Sequence, residues 1–168
     1  MMTLQQLLQF PATPEIALLL MTCVILLLEL FAEQKSSLLT YTATQMSLLI
    51  TLALVIYLHH VPAQFLFHQH FTWDLVAYFI KLCIFIFSVF AFVYARDAIK
   101  TLQMHSGEYY LLGLFSILGM LVLTSANSLL SLYLGLELLS FPLYAMVALQ
   151  RQSSQAAEAA MKYFILGA

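Results

Sequence analysis

The sequence predicts an all-α polytopic membrane protein, and two observations carry this prediction. Of the 168 residues, 63% are apolar and only 8% are charged, whereas a soluble domain carries about 25% charged residues. The apolar residues also lie in long runs, several of which reach the roughly 20 residues that a helix needs to cross a bilayer. A net charge of −2 without a basic face excludes a nucleic-acid-binding module.

Five apolar runs of spanning length predict five transmembrane helices, and a sixth helix begins near the end of the chain. The stretch 109–150 has 42 residues and a single charge, Glu137. It is twice the length of one span, so we expect it to fold back at Ala126-Asn127-Ser128, its one turn-like segment. The predicted spans are about 12–32, 38–58, 75–95, 108–126, 128–149 and, incomplete, 155–168, the last with Ser153 or Ser154 as its N-cap. Since the sequence stops inside that sixth helix, we expect an N-terminal part of a longer protein.

The distribution of cations predicts the orientation. Lys35, Arg96, Lys100 and Arg151 lie in the first, third and fifth connections, while the N-terminal segment and the second and fourth connections carry no Lys or Arg. Short loops rich in Lys and Arg stay in the cytoplasm, so we expect the N-terminus outside. The N-terminal segment has no basic region of a signal peptide, and the first apolar run is therefore expected to remain as helix 1.

Motifs for cofactors and metals are missing from the sequence. Cys23 and Cys83 fall in different spans, where we expect buried small side chains rather than a bridge. There is no CxxC, phosphate-binding loop or dinucleotide motif, so we expect no cofactor-binding residues and no metal site. The second connection holds four histidines within twelve residues, His59, His60, His68 and His70. Their spacing fits no metal site, and aromatic residues alternating from Phe65 to Trp73 favour a short β-strand or an interfacial belt in a solvated loop.

Ionisable residues inside a span are functional candidates, because a charge in hydrocarbon is costly. Glu137 lies ten residues beyond Asn127 and fourteen before Arg151, which places it about 15 Å into the membrane. Helical spacing puts three hydroxyls on its face, and Pro142 removes one backbone hydrogen bond, which predicts a local helix break. The interpretations are a proton relay or a protonated glutamate that holds helices together by a hydrogen bond. The three hydroxyls belong to Tyr133, Ser140 and Tyr144.

Four further charges are weaker candidates. Glu158 and Lys162 are spaced i, i+4 at the start of the sixth helix, which suits either an interfacial ion pair or a branch of a proton relay. Lys81 lies about 10 Å from the outer surface and either reaches outward or has a role in the relay. Glu29, near the cytoplasmic end of helix 1, is expected to be structural.

Two segments resemble a known family. Residues 131–149, SLYLGLELLSFPLYAMVAL, and 158–168, EAAMKYFILGA, are similar to the subunit N family of bacterial respiratory NADH-quinone oxidoreductase (complex I), which are antiporter-like proton-translocating membrane chains. The resemblance is strong over 107–168. Over 1–106 it rests on the layout of spans, on Asp74 and on Lys81.

The resemblance implies a bundle of about fourteen helices built from two inverted repeats, of which this chain would supply helices 1 to 5 and the start of 6. It implies that Glu137 pairs with a lysine of helix 7, beyond this sequence, and that Glu158 and Lys162 are the charged pair of helix 6. The activity implied is that of an enzyme complex, a translocase that couples NADH oxidation and quinone reduction to proton translocation across the bacterial inner membrane. NADH, FMN, iron–sulfur clusters and quinone would bind other subunits, and the partners would be other membrane subunits, the lipid bilayer and protons.

Two alternatives stay open. A related antiporter-like chain, from a cation/proton antiporter complex or a membrane-bound hydrogenase, would share the helix 5 glutamate. A non-pumping membrane scaffold would use Glu137 only for packing.

Overall fold

The computed structural model describes residues 10–31, 37–101, 106–150 and 153–167. Helices dominate the described chain, and a short 3-10 turn and a small hairpin interrupt them after the second helix. In chain order the elements are α1 (Thr13–Phe31), α2 (Ser37–Tyr57), the 3-10 turn (Leu58–His60), β1 (Gln64–Leu66), β2 (Phe71–Trp73), α3 (Leu75–Thr101), α4 (Ser106–Thr124), α5 (Leu129–Val147) and α6 (Ser154–Gly167).

Within the described residues, five helices have the length and apolar composition to cross a membrane. These are α1 to α5, so the predicted all-α membrane fold is confirmed. The turn between α4 and α5 falls at residues 125–128, where the sequence placed it. α3 continues to Thr101, although its span was predicted to end at 95; Arg96 and Lys100 are good helix formers, and charges at a membrane surface do not end a helix.

The two ends of the bundle hold different contacts. At one end, which we call the hairpin end, His59 stacks on Tyr78 with ring centroids 5.1 Å apart. At the opposite end, which we call the Arg96 end, the Arg96 guanidinium lies 4.8 Å from the centre of the Tyr41 ring. α2 and α3 therefore run in opposite directions, as the cation pattern predicts. Lys35 and Arg151, two of the four cations used in that prediction, lie outside the described residues.

The core lies among α1, α2, α3 and α4. Fully buried apolar side chains come from each of these helices, for example Leu18, Leu48, Phe85 and Leu114. In α4, 56% of the most apolar segment is buried, against 11% in α5. In the described structure α5 therefore lies at the edge of the bundle, in contact with α4 on one side.

Two glycines permit the close approach of α4 and α5. A Cβ atom on Gly119 would lie 2.7 Å from the Leu139 Cα atom, and one on Gly135 would lie 3.2 Å from the Leu123 Cα atom. Small residues at such a crossing let helix backbones approach and gain dispersion contacts, which is the main source of helix association in lipid. This crossing fixes the position of α5 on the bundle.

The hairpin connects α2 to α3 and also contacts the α4–α5 turn. β1 pairs antiparallel with β2, with Gln64 opposite Trp73, and the residues from Phe67 to Gln69 adopt positive φ angles. The alternating aromatic segment predicted as a strand or belt is thus two short strands joined by a turn. The backbone N–H of Thr72 donates to the Ser125 carbonyl at 2.8 Å, so the hairpin is tied to a distant turn.

Candidate functional site

Glu137 lies halfway along α5, as the ninth of its 19 residues. At 1.5 Å per residue it is about 12 Å from the start of the helix. Its side chain is half-buried, and the Tyr133 hydroxyl, one turn earlier on α5, lies close enough to interact with its carboxylate. In the described part of the chain Glu137 forms no ion pair, so a carboxylate lies in mid-span with the hydroxyl of a tyrosine beside it.

The other two hydroxyls predicted beside Glu137 are engaged elsewhere. The Ser140 hydroxyl donates to the Leu136 carbonyl at 2.7 Å, a common way for a serine to satisfy itself in a helix. Tyr144 faces α6, where its ring lies 6.1 Å from that of Phe164. The structure thus brings Tyr133 to Glu137 and leaves Ser140 and Tyr144 on the same helix without a contact to the carboxylate.

Pro142 does not break α5. The helix runs without interruption from Leu129 to Val147, with Pro142 buried inside it. The predicted helix break is therefore wrong. A proline removes one backbone donor, but the packing of α5 against α4 and α6 keeps the flanking turns helical.

Glu158 and Lys162 form an ion pair on α6, with 2.6 Å between Lys162 Nζ and Glu158 Oε1. Their side chains are 67% and 68% exposed, so this pair lies on the surface of the described chain. α6 begins at Ser154, and the Ser153 hydroxyl accepts from the Ala156 N–H at 3.3 Å, which makes Ser153 its N-cap.

α5 and α6 pack against each other, but Glu137 does not contact the Glu158–Lys162 pair. A groove of about 430 Å³ between them is lined by residues of both helices, among them Tyr144 and Lys162. Tyr144 follows Glu137 on α5 and faces α6, which carries the charged pair. Among the described side chains, Glu137 makes no direct contact with Glu158 or Lys162. Glu137 does not line the groove, so the groove does not by itself connect the two charged sites.

Sequence reasoning missed a second charged pair. Lys81 Nζ lies 2.5 Å from Glu15 Oε1, and their side chains are 0% and 9% exposed. The prediction that Lys81 can reach outward to the membrane surface is wrong, because its side chain turns inward to a carboxylate of α1. One signal was available: both residues interrupt apolar spans near the same end of the bundle, and a buried charge needs a partner.

The remaining candidates have structural positions. Glu29 is half-buried and accepts a hydrogen bond from the Thr40 hydroxyl of α2, in line with the structural role expected for it. Cys23 and Cys83 are free and exposed, not buried as expected, because both lie on outward faces of their helices. Among the described residues, no three His, Cys, Asp or Glu side chains are grouped to hold a metal ion.

Comparisons with known proteins support one family. Residues 126–168 match the family described as NADH:quinone oxidoreductase/Mrp antiporter, TM. NADH-quinone oxidoreductase subunit N of Thioalkalivibrio sulfidiphilus is 44% identical over 158 residues, which cover 94% of this chain and 33% of that relative. Subunit N of Halorhodospira halophila is 46% identical over 156 residues, covering 93% of this chain and 32% of that relative.

Over nearly its whole length the chain is similar to subunit N of NADH-quinone oxidoreductase. It spans about a third of the length of the relatives it matches. A solved structure of respiratory complex I from Thermus thermophilus with bound aureothin contains a chain with the same fold, with a TM-score of 0.74 and 27% identity over 91% of this chain and 32% of that one.

The segment that matches the family description divides the charged residues into two sets. Glu137, Glu158 and Lys162 lie within the segment that matches the family description, residues 126–168. Glu15 and Lys81 lie outside that segment, in the part of the fold built by α1 and α3. The resemblance predicted from 131–149 and 158–168 is confirmed.

Proposed function

We propose that this chain, as part of a subunit N, contributes to proton translocation across the bacterial inner membrane, coupled to NADH oxidation and quinone reduction. One observation carries the proposal: Glu137 lies in the middle of a membrane-spanning helix with a hydroxyl partner and without an ion-pair partner among the described residues. An ionisable side chain at that depth is costly, and it is therefore a functional candidate by default.

Glu137 can act through two charge states. Desolvation in a span favours the protonated carboxylic acid, whereas an approaching cation favours the carboxylate. A partner lysine, which the family resemblance implies on helix 7, would make Glu137 release a proton when it approaches and take one up when it withdraws. The Tyr133 hydroxyl interacts with the carboxylate, and a donor in that position would favour the ionised form.

Electron transfer belongs to other subunits in this proposal. NADH, FMN, the iron–sulfur clusters and quinone are bound outside this chain, and the complex as a whole is the enzyme. The neighbouring membrane subunits and the lipid bilayer are its partners. A redox-driven change elsewhere would bias the two states of Glu137, which couples electron transfer to proton movement through a free-energy difference between conformations.

Replacing Glu137 in the intact subunit, assembled in its complex, tests the proposal. Glu137→Gln keeps the size and hydrogen-bonding capacity of the side chain and removes its proton exchange. We expect normal subunit content, with NADH-driven proton uptake into inverted membrane vesicles and NADH oxidation both reduced, by at least about tenfold for proton uptake. Glu137→Asp should keep part of the activity.

Asp97→Asn is the matched control, because Asp97 is an exposed carboxylate at the Arg96 end of α3. It should leave proton uptake unchanged. Full pumping by Glu137→Gln at normal subunit content would contradict the relay and leave the packing role. Loss of the assembled complex with Glu137→Gln would also favour the packing role.

The matched family description also includes Mrp antiporters, so a subunit of a cation/proton antiporter is the second candidate. The two candidates differ in their driving reaction. A vesicle containing the antiporter would exchange protons for sodium without NADH, whereas the NADH-quinone oxidoreductase would acidify inverted vesicles only during NADH oxidation.

A further inference from the structure

We infer that Glu15 and Lys81 form a second proton-exchanging site, at the hairpin end of the bundle and separate from Glu137. The inference rests on the proposed function, because it supplies a further group to the same translocation. Glu15 comes from the start of α1 and Lys81 from the second turn of α3, so the site joins two helices that are not neighbours in sequence.

The pair is isolated from other polar groups. Lys81 is completely buried and Glu15 nearly so. Apart from each other, the carboxylate oxygens and the ammonium have no hydrogen-bond partner among the described residues. Asp74, at the start of α3, lies close enough to interact electrostatically with Lys81, but its Oδ1 accepts from the Ala77 N–H at 2.7 Å and thus caps the helix.

Aromatic rings of β2 close the site. The Lys81 ammonium lies 4.9 Å from the centre of the Phe71 ring and 4.8 Å from that of Trp73, both within cation–π range. Trp73 is itself buried. The hairpin therefore holds the ammonium against the carboxylate and shields it from the hairpin end.

Stability alone gives a weak reason for such a pair. Desolvation of two charges offsets much of their attraction, and replacing a buried ion pair by packed apolar side chains is often neutral or stabilising. In a membrane helix an apolar pair would also insert more readily. A role that uses the protons explains the presence of two ionisable groups where leucines would pack.

The exchange needs no reactant besides the proton and water. With 2.5 Å between Lys81 Nζ and Glu15 Oε1, an N–H bond of Lys81 breaks as an O–H bond of Glu15 forms, which converts the ion pair to a neutral amine and a neutral carboxylic acid. Glu15, the more exposed of the two, then gives the proton to a water molecule, which becomes hydronium, and Glu15 becomes a carboxylate again. A proton carried by a second water molecule from the membrane interior then binds the Lys81 amine, which restores the ion pair.

The inner face of α1 continues toward the opposite end with polar groups. Thr22 is fully buried and follows Glu15 by seven residues, and Glu29 follows Thr22 by seven more. Seven residues are close to two helical turns, so these side chains share the face of Glu15. Glu29 contacts Thr40 of α2. The inner face of α2 also carries three buried hydroxyl residues, Thr44, Ser47 and Thr51.

A double substitution in the assembled complex separates proton exchange from packing. Each single variant, Glu15→Leu or Lys81→Leu, leaves one buried charge unpaired, so we expect reduced subunit content. The double variant Glu15→Leu/Lys81→Leu removes both charges and should restore the subunit content. We expect its proton uptake per NADH oxidised, in inverted vesicles, to be at least about tenfold below wild type.

Ser116→Ala is the matched control, because Ser116 is a buried hydroxyl without a hydrogen-bond partner among the described residues; it should pump normally. Normal pumping by the assembled double variant would overturn the inference. If the double leucine variant fails to assemble, the neutral double variant Glu15→Gln/Lys81→Met, which keeps the approximate size of both side chains, decides: assembly with proton uptake per NADH at least about tenfold below wild type supports the inference, and assembly with normal pumping, or failure to assemble, overturns it.

Glu137→Gln, measured in parallel, distinguishes this inference from the proposed function. Loss of pumping with Glu137→Gln together with normal pumping by the double leucine variant would contradict the second site alone. Normal pumping with Glu137→Gln would contradict the proposed function itself.

Discussion

At the residue scale, the environment of each ionisable group decides what it can do. Glu137 and Glu15 are both carboxylates within membrane spans, but Glu137 contacts a phenol and Glu15 contacts an ammonium. The first is free to meet a mobile cation, and the second is compensated where it stands. Their chemistry therefore differs, although a charge in the membrane is energetically costly for both.

Tyr133→Phe tests the interaction between Tyr133 and Glu137. The substitution keeps the ring and removes the hydroxyl beside the carboxylate. We expect a partial loss of NADH-driven proton uptake, smaller than that of Glu137→Gln because the carboxylate itself remains. Subunit content should stay normal. Unchanged proton uptake would show that the phenol has no part in proton exchange.

The sequence was sufficient to single out Glu137 but not the partner of Lys81. Glu137 is the sole charge in a 42-residue apolar stretch, a local pattern that needs no tertiary information. Glu15 and Lys81 lie on different helices, and helical periodicity tells which face a residue occupies, not which helix it meets. The side chain of a lysine near the end of a span can extend to the membrane interface or pair with a buried carboxylate, and the packing of the helices decides between the two.

At the element scale, the α4–α5 crossing depends on the absence of side chains. Gly119→Ala would drive a Cβ atom into the backbone of α5 at Leu138 and Leu139, and a backbone cannot rotate away. We expect a destabilisation of about 1–3 kcal/mol, typical of overpacking, measured as a lower melting temperature or lower subunit content in the purified complex.

Gly113→Ala is the control for this substitution. Its Cβ atom would meet the Phe92 ring, a side chain that can adjust its torsion angles. The loss should therefore be smaller than with Gly119→Ala. Equal losses for the two variants would contradict the importance of the backbone contact.

Helix ends were easier to predict than the interior of a helix. Ser153 caps α6, and the segment from Ala126 to Ser128 forms the turn before α5, because capping and turn formation depend on local side-chain chemistry. The effect of Pro142 was predicted wrongly. A missing backbone donor weakens a helix locally, but the surrounding helices decide whether the chain departs from helical geometry.

At the scale of the whole molecule, the alternation of the helices gives the orientation a direct test. In a chain whose Cys23 and Cys83 are replaced by alanine, a cysteine at position 69 should react with an impermeant thiol reagent from outside. A cysteine at position 106 should react only from the cytoplasmic side, because short basic loops remain there. The reverse labelling pattern would overturn the orientation and the direction assigned to proton movement.

The number of spans and their order along the chain followed from hydropathy, whereas their arrangement did not. Apolar runs are visible in any single sequence, but α1 to α5 have similar composition, so nothing local marks α4 as the enclosed helix and α5 as the edge. Glycine positions gave the missing clue only in retrospect, since Gly119 and Gly135 lie opposite backbone atoms of the neighbouring helix.

The bonds between the hairpin and the α4–α5 turn bear on biogenesis. The Asn127 side-chain amide donates to the Gln69 carbonyl at 2.8 Å, and His70 Nδ1 and Ser128 Oγ are hydrogen-bonded at 2.7 Å. Both contacts join residues 58 positions apart, so the ribosome finishes the hairpin well before the turn emerges. The hairpin is therefore already synthesised when α4 and α5 enter the bilayer as a pair. Docking of the α4–α5 turn on the hairpin then sets the depth of α5 in the membrane, and with it the depth of Glu137.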